Sequence, residues 1–152
     1  MISRSRALAV LLFGMLALTT VGCATAAAQR DADALPATEW KAIQRVIAEQ
    51  RAALIAGEAA KAFGYASPGI RSQFGDPDTF IAMVRGAYAA LISARHVEFL
   101  EGAVIDGIVV QPLRLIDSDD TVRVALYTME RQDNGTWRIA GCVIAPSTVR
   151  SA

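Results

Sequence analysis

Apolar residues recur at helical spacing from Trp40 onward and switch to strand spacing after His96, so the chain divides into a helical half and a sheet half. Trp40, Ile43, Val46, Ile47 and Leu54 form one stripe, while Lys41, Arg45, Glu49 and Arg51 fill the other faces. This pattern predicts an amphipathic helix of about four to five turns. Thr38 reads as its N-cap, Glu39 lies in the first turn beside the positive end of the helix dipole, and Gly57 suits the left-handed position that closes a helix. A short second helix follows over residues 58–65 and buries Ala62, Phe63 and Tyr65. Ala66-Ser67-Pro68-Gly69 then turns the chain, and Ile70 and Phe74, four apart, allow one more helical turn. Asp76-Pro77 is the strongest local signal. Asp accepts free amides as an N-cap, and Pro in the first helical position gives up only an N–H that would be unpaired anyway. Phe80, Met83, Val84, Ala87 and Tyr88 line one face of the helix so launched.

The remainder reads as strand. Val97 and Phe99 alternate with His96 and Glu98; Asp106-Gly107 makes a turn; residues 108–116 are a β-branched run. An acidic turn, Asp117-Ser118-Asp119-Asp120, precedes a long strand over 121–131. Asp133-Asn134-Gly135 is a hairpin turn into a last strand over 137–144, and Pro146 ends regular structure. Short turns between neighbours imply an antiparallel meander. The expected architecture is α+β, with N-terminal helices packed in a curved four-stranded antiparallel sheet. The expected organisation is a signal over 1–28, a flexible leader over 29–37, one domain over 38–146 and a tail over 147–152.

Both faces of the last two strands are apolar. Val122, Val124 and Leu126 alternate with Ala125, Tyr127 and Met129, and Trp137, Ile139 and Val143 alternate with Ala140, Cys142 and Ile144. A single sheet covered by helices on one side normally carries a polar second face. The expectation is a homodimer that buries the outer face, with Tyr127, Met129 and Cys142 on it.

The N-terminus adds a destination. Arg4 and Arg6 precede an uncharged run over 7–21, small residues follow, and charge returns at Arg30, the pattern of a bacterial secretory signal that sends the protein to the periplasm or outside the cell. Thr20-Val21-Gly22-Cys23 resembles a lipobox, which would lipidate Cys23 and anchor the protein to a membrane. Ordinary cleavage after Ala26 or Ala28 is the competing route. Removing Arg4 and Arg6 takes two from 15 basic residues set against 15 acidic ones, so the mature chain is acidic by two. That balance offers no basic footprint for nucleic acid. With Cys23 removed or lipidated, Cys142 has no partner for an internal disulfide. A single histidine and the absence of CxxC leave no zinc spacing. No cofactor motif is present, and no cofactor is expected.

AFGYASPGIRSQFG, then FIAMVRGAY, then GTWRIAGC resemble a bacterial family of small exported proteins known only as a domain of unknown function (domain of unknown function 4864). The pattern runs through Ala62, Phe63, Ala66, Ser67, Pro68, Ile70, Phe74, Gly75, Phe80, Met83, Val84 and Tyr88, then Gln111, then Gly135, Trp137, Arg138, Ile139, Gly141 and Cys142. The chain departs from it between Tyr88 and His96, where AALISAR stands in place of a proline-bearing segment. The resemblance implies the cystatin-like, nuclear-transport-factor-2-like cone, a curved sheet around a long helix with a pocket at the wide end. It brings no catalytic residues.

The residues themselves supply four candidates for ligand contact: Tyr65, Arg71, Tyr88 and Gln111. Gln111 shares a face with Val109, Leu113 and Leu115, and an amide there needs partners from backbone or ligand. Tyr88 belongs to the apolar face of its helix. Arg71 stands near Pro68-Gly69 and would favour an anion. His96 alternates outward, Asp76 is a cap, and Cys142 lies among apolar residues as a small hydrophobe. No catalytic constellation or metal site emerges. The first reading is therefore an exported envelope protein that binds a small ligand or serves as an accessory module without chemistry. An isomerase or hydratase using the cone, and a lipid-anchored structural or assembly protein acting through its outer sheet face, are the alternatives. Cys23→Ala separates the two signal types: an anchored protein leaves the membrane fraction, and a cleaved one behaves as before.

Overall fold

The computed structural model describes residues 34–146. The signal, Cys23, most of the leader and the tail lie outside the described residues. Among the described residues, five helices precede five strands. The helices are α1 (Ala37–Ala56), α2 (Ala59–Gly64), α3 (Pro68–Phe74), α4 (Pro77–Ala87) and α5 (Ala89–Ser93). The strands are β1 (His96–Phe99), β2 (Ala103–Ile105), β3 (Ile108–Ile116), β4 (Val122–Arg131) and β5 (Trp137–Pro146). No described helix is long and apolar enough to cross a membrane.

Helix boundaries follow the local chemistry, with two corrections. Helix α1 starts before Thr38, which caps nothing; the amides of Glu39 and Trp40 donate instead to the Pro36 carbonyl. It closes as expected at Gly57 (φ 73°), where Glu58 N–H donates to Ala53 O at 2.9 Å. Pro68 begins α3 rather than a turn, because Ser67 Oγ accepts from Ile70 N–H at 3.3 Å. Asp76 does the same for α4, accepting from Thr79 N–H at 2.8 Å. The chain thus uses a cap followed by Pro twice, and the sequence reading caught only the second. Tyr88 breaks the helical run, and the AALISAR segment forms α5 and its exit.

The α+β expectation is met, with one strand added. The strand order is β1-β3-β4-β5, all antiparallel, with β2 also on β3. Strands β1 and β2 lie on the same edge: Phe99 pairs with Leu113 and Ala103 with Val110. They are one edge strand broken at residues 100–102. The break admits α1, since a Cβ on Gly102 would lie 2.3 Å from the Trp40 ring. Asp106 (φ 51°) and Gly107 (φ 78°) make the tight β2–β3 turn.

The face assignment of the sheet is corrected. Tyr127 and Met129 point inward and are buried, together with Ala125. Cys142 pairs with Tyr127 and packs against the same core. Leu126 and Val143 point outward, 38% and 63% exposed. On β5 the pairing slips between Thr128 and Met129: Thr128 faces Gly141, Met129 faces Ile139, and Ala140 is the extra residue of a bulge. The bulge puts Trp137 and Ile139 before it, and Cys142 after it, on one face. Uninterrupted alternation had set them on opposite faces.

Two hydrophobic clusters result. One joins the inner sheet face to Ile43 and Ile47 of α1 and to Leu91 and Ala94. The other gathers Ala53 and Leu54 of α1 with Ala62, Phe63, Phe80, Ile81 and Val84. Helix α1 runs through both, so its stripe divides its work between sheet and helices. The helical layer is fastened to the sheet at β5, where Ile139 N–H donates to Tyr65 O at 2.9 Å and Ser67 N–H donates to Ile139 O at 2.8 Å.

Asp76→Ala should cost about 1 kcal/mol in urea unfolding, the ordinary loss for an N-cap. Gly102→Ala should cost more than the cap, because its methyl must displace the Trp40 ring. Equal or smaller loss at Gly102 would show that α1 does not rely on this close approach.

Candidate functional site

A cleft of about 200 Å³ opens where the two clusters meet. Helix α1 gives Gln50 and Leu54 to its wall; α3 gives Ile70, Gln73 and Phe74; α4 gives Phe80, Met83 and Val84. The sheet side is Tyr127, Ile139, Gly141 and Cys142, and Tyr88 and Leu91 close the end at the α4–α5 break. Each element turns an apolar face here for the reason that it folds at all. The cleft is left because the helices pack on each other and on the sheet edge without filling the junction.

No aspartate, glutamate, lysine, arginine or histidine lines the cleft. Burial holds two of its side chains, Tyr127 and Cys142, in the neutral form. Burial raises the Tyr127 hydroxyl well above its ordinary value, with Cys142 adding to the effect and Arg51 opposing it. Burial pushes the Cys142 thiol up to about 12. Arg51 stays outside the wall, donating from Nε to Leu91 O at 2.8 Å and from Nη2 to Ala94 O at 2.7 Å, and so ties α1 to the end of α5. Gln50, buried on the α1 stripe, donates from Nε2 to Ala62 O at 3.2 Å.

One polar atom stands apart. Tyr127 Oη is buried and has no hydrogen-bond partner among the described residues. A buried hydroxyl without a partner is rare in folded proteins and calls for an explanation.

Of the four sequence candidates, only Tyr88 lines this cleft. Tyr65, half-buried in the α2–α3 link, is not part of the cleft wall and donates from Oη to Glu49 Oε2 at 3.0 Å. Partial burial and that bond raise its pKa. Arg71 is exposed at a shallow depression beside Pro68, Ser72 and Gly75. Gln111 is buried and fully engaged: its Nε2 donates to Leu100 O at 2.7 Å and Pro112 O at 3.0 Å, and its Oε1 accepts from Gln44 at 3.3 Å. Those bonds pin the interruption between β1 and β2. The four residues therefore do not converge on one cavity. His96 is exposed, and the acidic turn is engaged by Arg95–Asp120 and Arg123–Asp117 ion pairs. Among the described residues no three His, Cys, Asp or Glu side chains group as a metal site.

The residues missed were Gln50, Tyr127 and Cys142. Gln50 had a visible signal, an amide at helical spacing within the stripe of Ile43, Ile47 and Leu54. Tyr127 and Cys142 were seen but assigned to the wrong face.

A family model described as a domain of unknown function (DUF4864) matches residues 36–152. Nothing among curated proteins or solved structures matches.

The buried thiol and hydroxyl carry a pH consequence. In the unfolded chain both ionise at ordinary values, near pH 9 and 10. Above those values the unfolded state has lost protons that the folded state retains, so stability falls as pH rises. It should be complete below pH 9 and decline toward pH 12. Urea unfolding across that range checks this, and Cys142→Ala should flatten part of the decline. In a protein comprising residues 29–152, iodoacetamide at pH 8 should label Cys142 slowly until denaturant is added.

Proposed function

Because the chain belongs to the family described as a domain of unknown function (DUF4864), its role is argued from its own cleft, and we propose that it is a non-catalytic binding module for a small apolar ligand. The observation that carries this is an apolar cleft lying between two hydrophobic clusters, with no ionised side chain in its wall. General acid–base work needs a group that gains and loses a proton near the working pH. Tyr127 and Cys142 are both held protonated instead. An isomerase or hydratase reading is therefore the weaker one. Export belongs to the same proposal and rests on the charged start and apolar run of residues 1–28. So does kinship with the cystatin-like, nuclear-transport-factor-2-like cone, supported by a helix across one face of an antiparallel sheet and a cleft at one end.

Toluene is a suitable first probe, being neutral and small enough for the cleft. Ligand-observed NMR should show saturable binding to the mature chain. Met83→Trp, a half-buried position in the α4 wall, should weaken it at least tenfold by filling the cleft. Toluene bound equally by both proteins would remove the cleft from consideration. Native mass spectrometry of protein taken from its own envelope should find a retained small molecule.

A second reading, association of two copies, has a separate observation in the outward Leu126 and Val143. The proposed contact moves to these residues from Tyr127, Met129 and Cys142. Light scattering at micromolar concentration should give a dimer that Val143→Glu dissociates; a monomeric mass for the parent would end this reading.

A further inference from the structure

The apolar cleft explains why a ligand would enter but not what the ligand carries. The Tyr127 hydroxyl supplies that information. It belongs to a fully buried side chain in the sheet wall of the cleft and lacks a partner among the described residues. Other buried polar side chains nearby are engaged: Gln50 with Ala62 O, Gln111 with Leu100 O and Pro112 O, and Ser67 with Ile70 N–H. A phenol here could be phenylalanine at no loss of packing. Its O–H donor costs about 1–3 kcal/mol while unpaired, and a ligand acceptor would remove that cost.

Resting on the cleft being a ligand site, we propose that its ligand is an uncharged, ring-sized molecule whose one buried oxygen, a carbonyl, ether or hydroxyl, accepts a hydrogen bond from Tyr127 Oη. Three observations define that class. The wall holds no cation to accompany a buried anion and no anion to accompany a cation, and an unpaired buried charge is strongly disfavoured. Arg71, the residue that would favour an anion, lies at a different depression. The volume of about 200 Å³ exceeds the about 150 Å³ of an apolar cavity that takes up benzene, which suits one ring with a substituent. Because the hydroxyl is covered, a neighbouring side chain must shift as the ligand enters.

Three probes of similar shape test the proposal: cyclohexanone, methylcyclohexane and cyclohexanecarboxylate, titrated into the mature chain. Cyclohexanone should bind the parent about tenfold more tightly than it binds Tyr127→Phe, the value of one hydrogen bond. Cyclohexanecarboxylate should not bind measurably at pH 7. Methylcyclohexane should bind Tyr127→Phe as tightly as it binds the parent, or better. Ketone affinity unchanged by Tyr127→Phe would overturn the proposed hydrogen bond and leave the cleft reading standing. Preference for the carboxylate would overturn the neutral class. Failure of all three to bind would overturn the cleft reading as well. A measurement on the parent protein covers the case in which Tyr127→Phe does not fold. The infrared carbonyl stretch of bound cyclohexanone should fall below its value in hexane, and an unshifted stretch would overturn the proposal.

Discussion

The arrangement depends on two backbone hydrogen bonds made by one residue. Ile139 donates to Tyr65 O and accepts from Ser67 N–H, so residues 65–67 act as a short parallel neighbour of β5. This attaches the helical layer to the sheet edge. It also covers part of an edge that would otherwise present unpaired donors and acceptors. Ser67 serves both layers, its N–H in the sheet contact and its hydroxyl at the start of α3. Ile139 stands next to the bulge at Ala140, so the strand is fixed to the helices just where its pairing with β4 slips. With α1 spanning both clusters and this contact closing the other side, helices α2–α4 are held beside the sheet rather than on top of it. The cleft follows from that offset.

Polar groups at the joints are otherwise well matched. At the start of α1, Glu39 accepts from Trp137 Nε1 at 2.6 Å and pairs with Arg131 at 3.4 Å, tying the helix to the β4–β5 hairpin. Arg51 ties the middle of α1 to α5, and Gln111 ties the broken edge strand together. Each of these long-range bonds joins elements distant in sequence. Against them the Tyr127 hydroxyl stands out, since the fold elsewhere pairs its buried side-chain polar atoms among the described residues.

Local chemistry made much of the fold legible. Asp76-Pro77, Gly57, Asp106-Gly107 and the helical stripe of α1 each act within a few residues, and each reads correctly from sequence. What failed was decided at long range. The two faces of β4 are both apolar, so alternation alone does not say which meets the helices. Thr128 and Glu130, and Arg114 on β3, lie on the outward set and were the available signal. The bulge at Ala140 left no mark in the alternation, because Trp137, Ile139, Cys142 and Ile144 are all apolar on either assignment. The site suffered most from this. Tyr88 lines the cleft from the helix face on which its spacing places it, whereas Gln111 anchors backbone carbonyls and Tyr127 faces inward, opposite to the expectation. Gln50 lies in a stripe whose other buried members include Ile43, Ile47 and Leu54, and such a stripe reads as packing.

Tyr127 also sets a tension between persistence and purpose. A chain shaped for durability alone would carry phenylalanine there, keeping the ring in the cluster that holds Ile43, Ile47 and Leu113 and shedding a hydroxyl that has no partner among the described residues. The tyrosine makes the protein less robust than its own scaffold allows. Robustness given up at this one position is what the proposed ligand contact would account for.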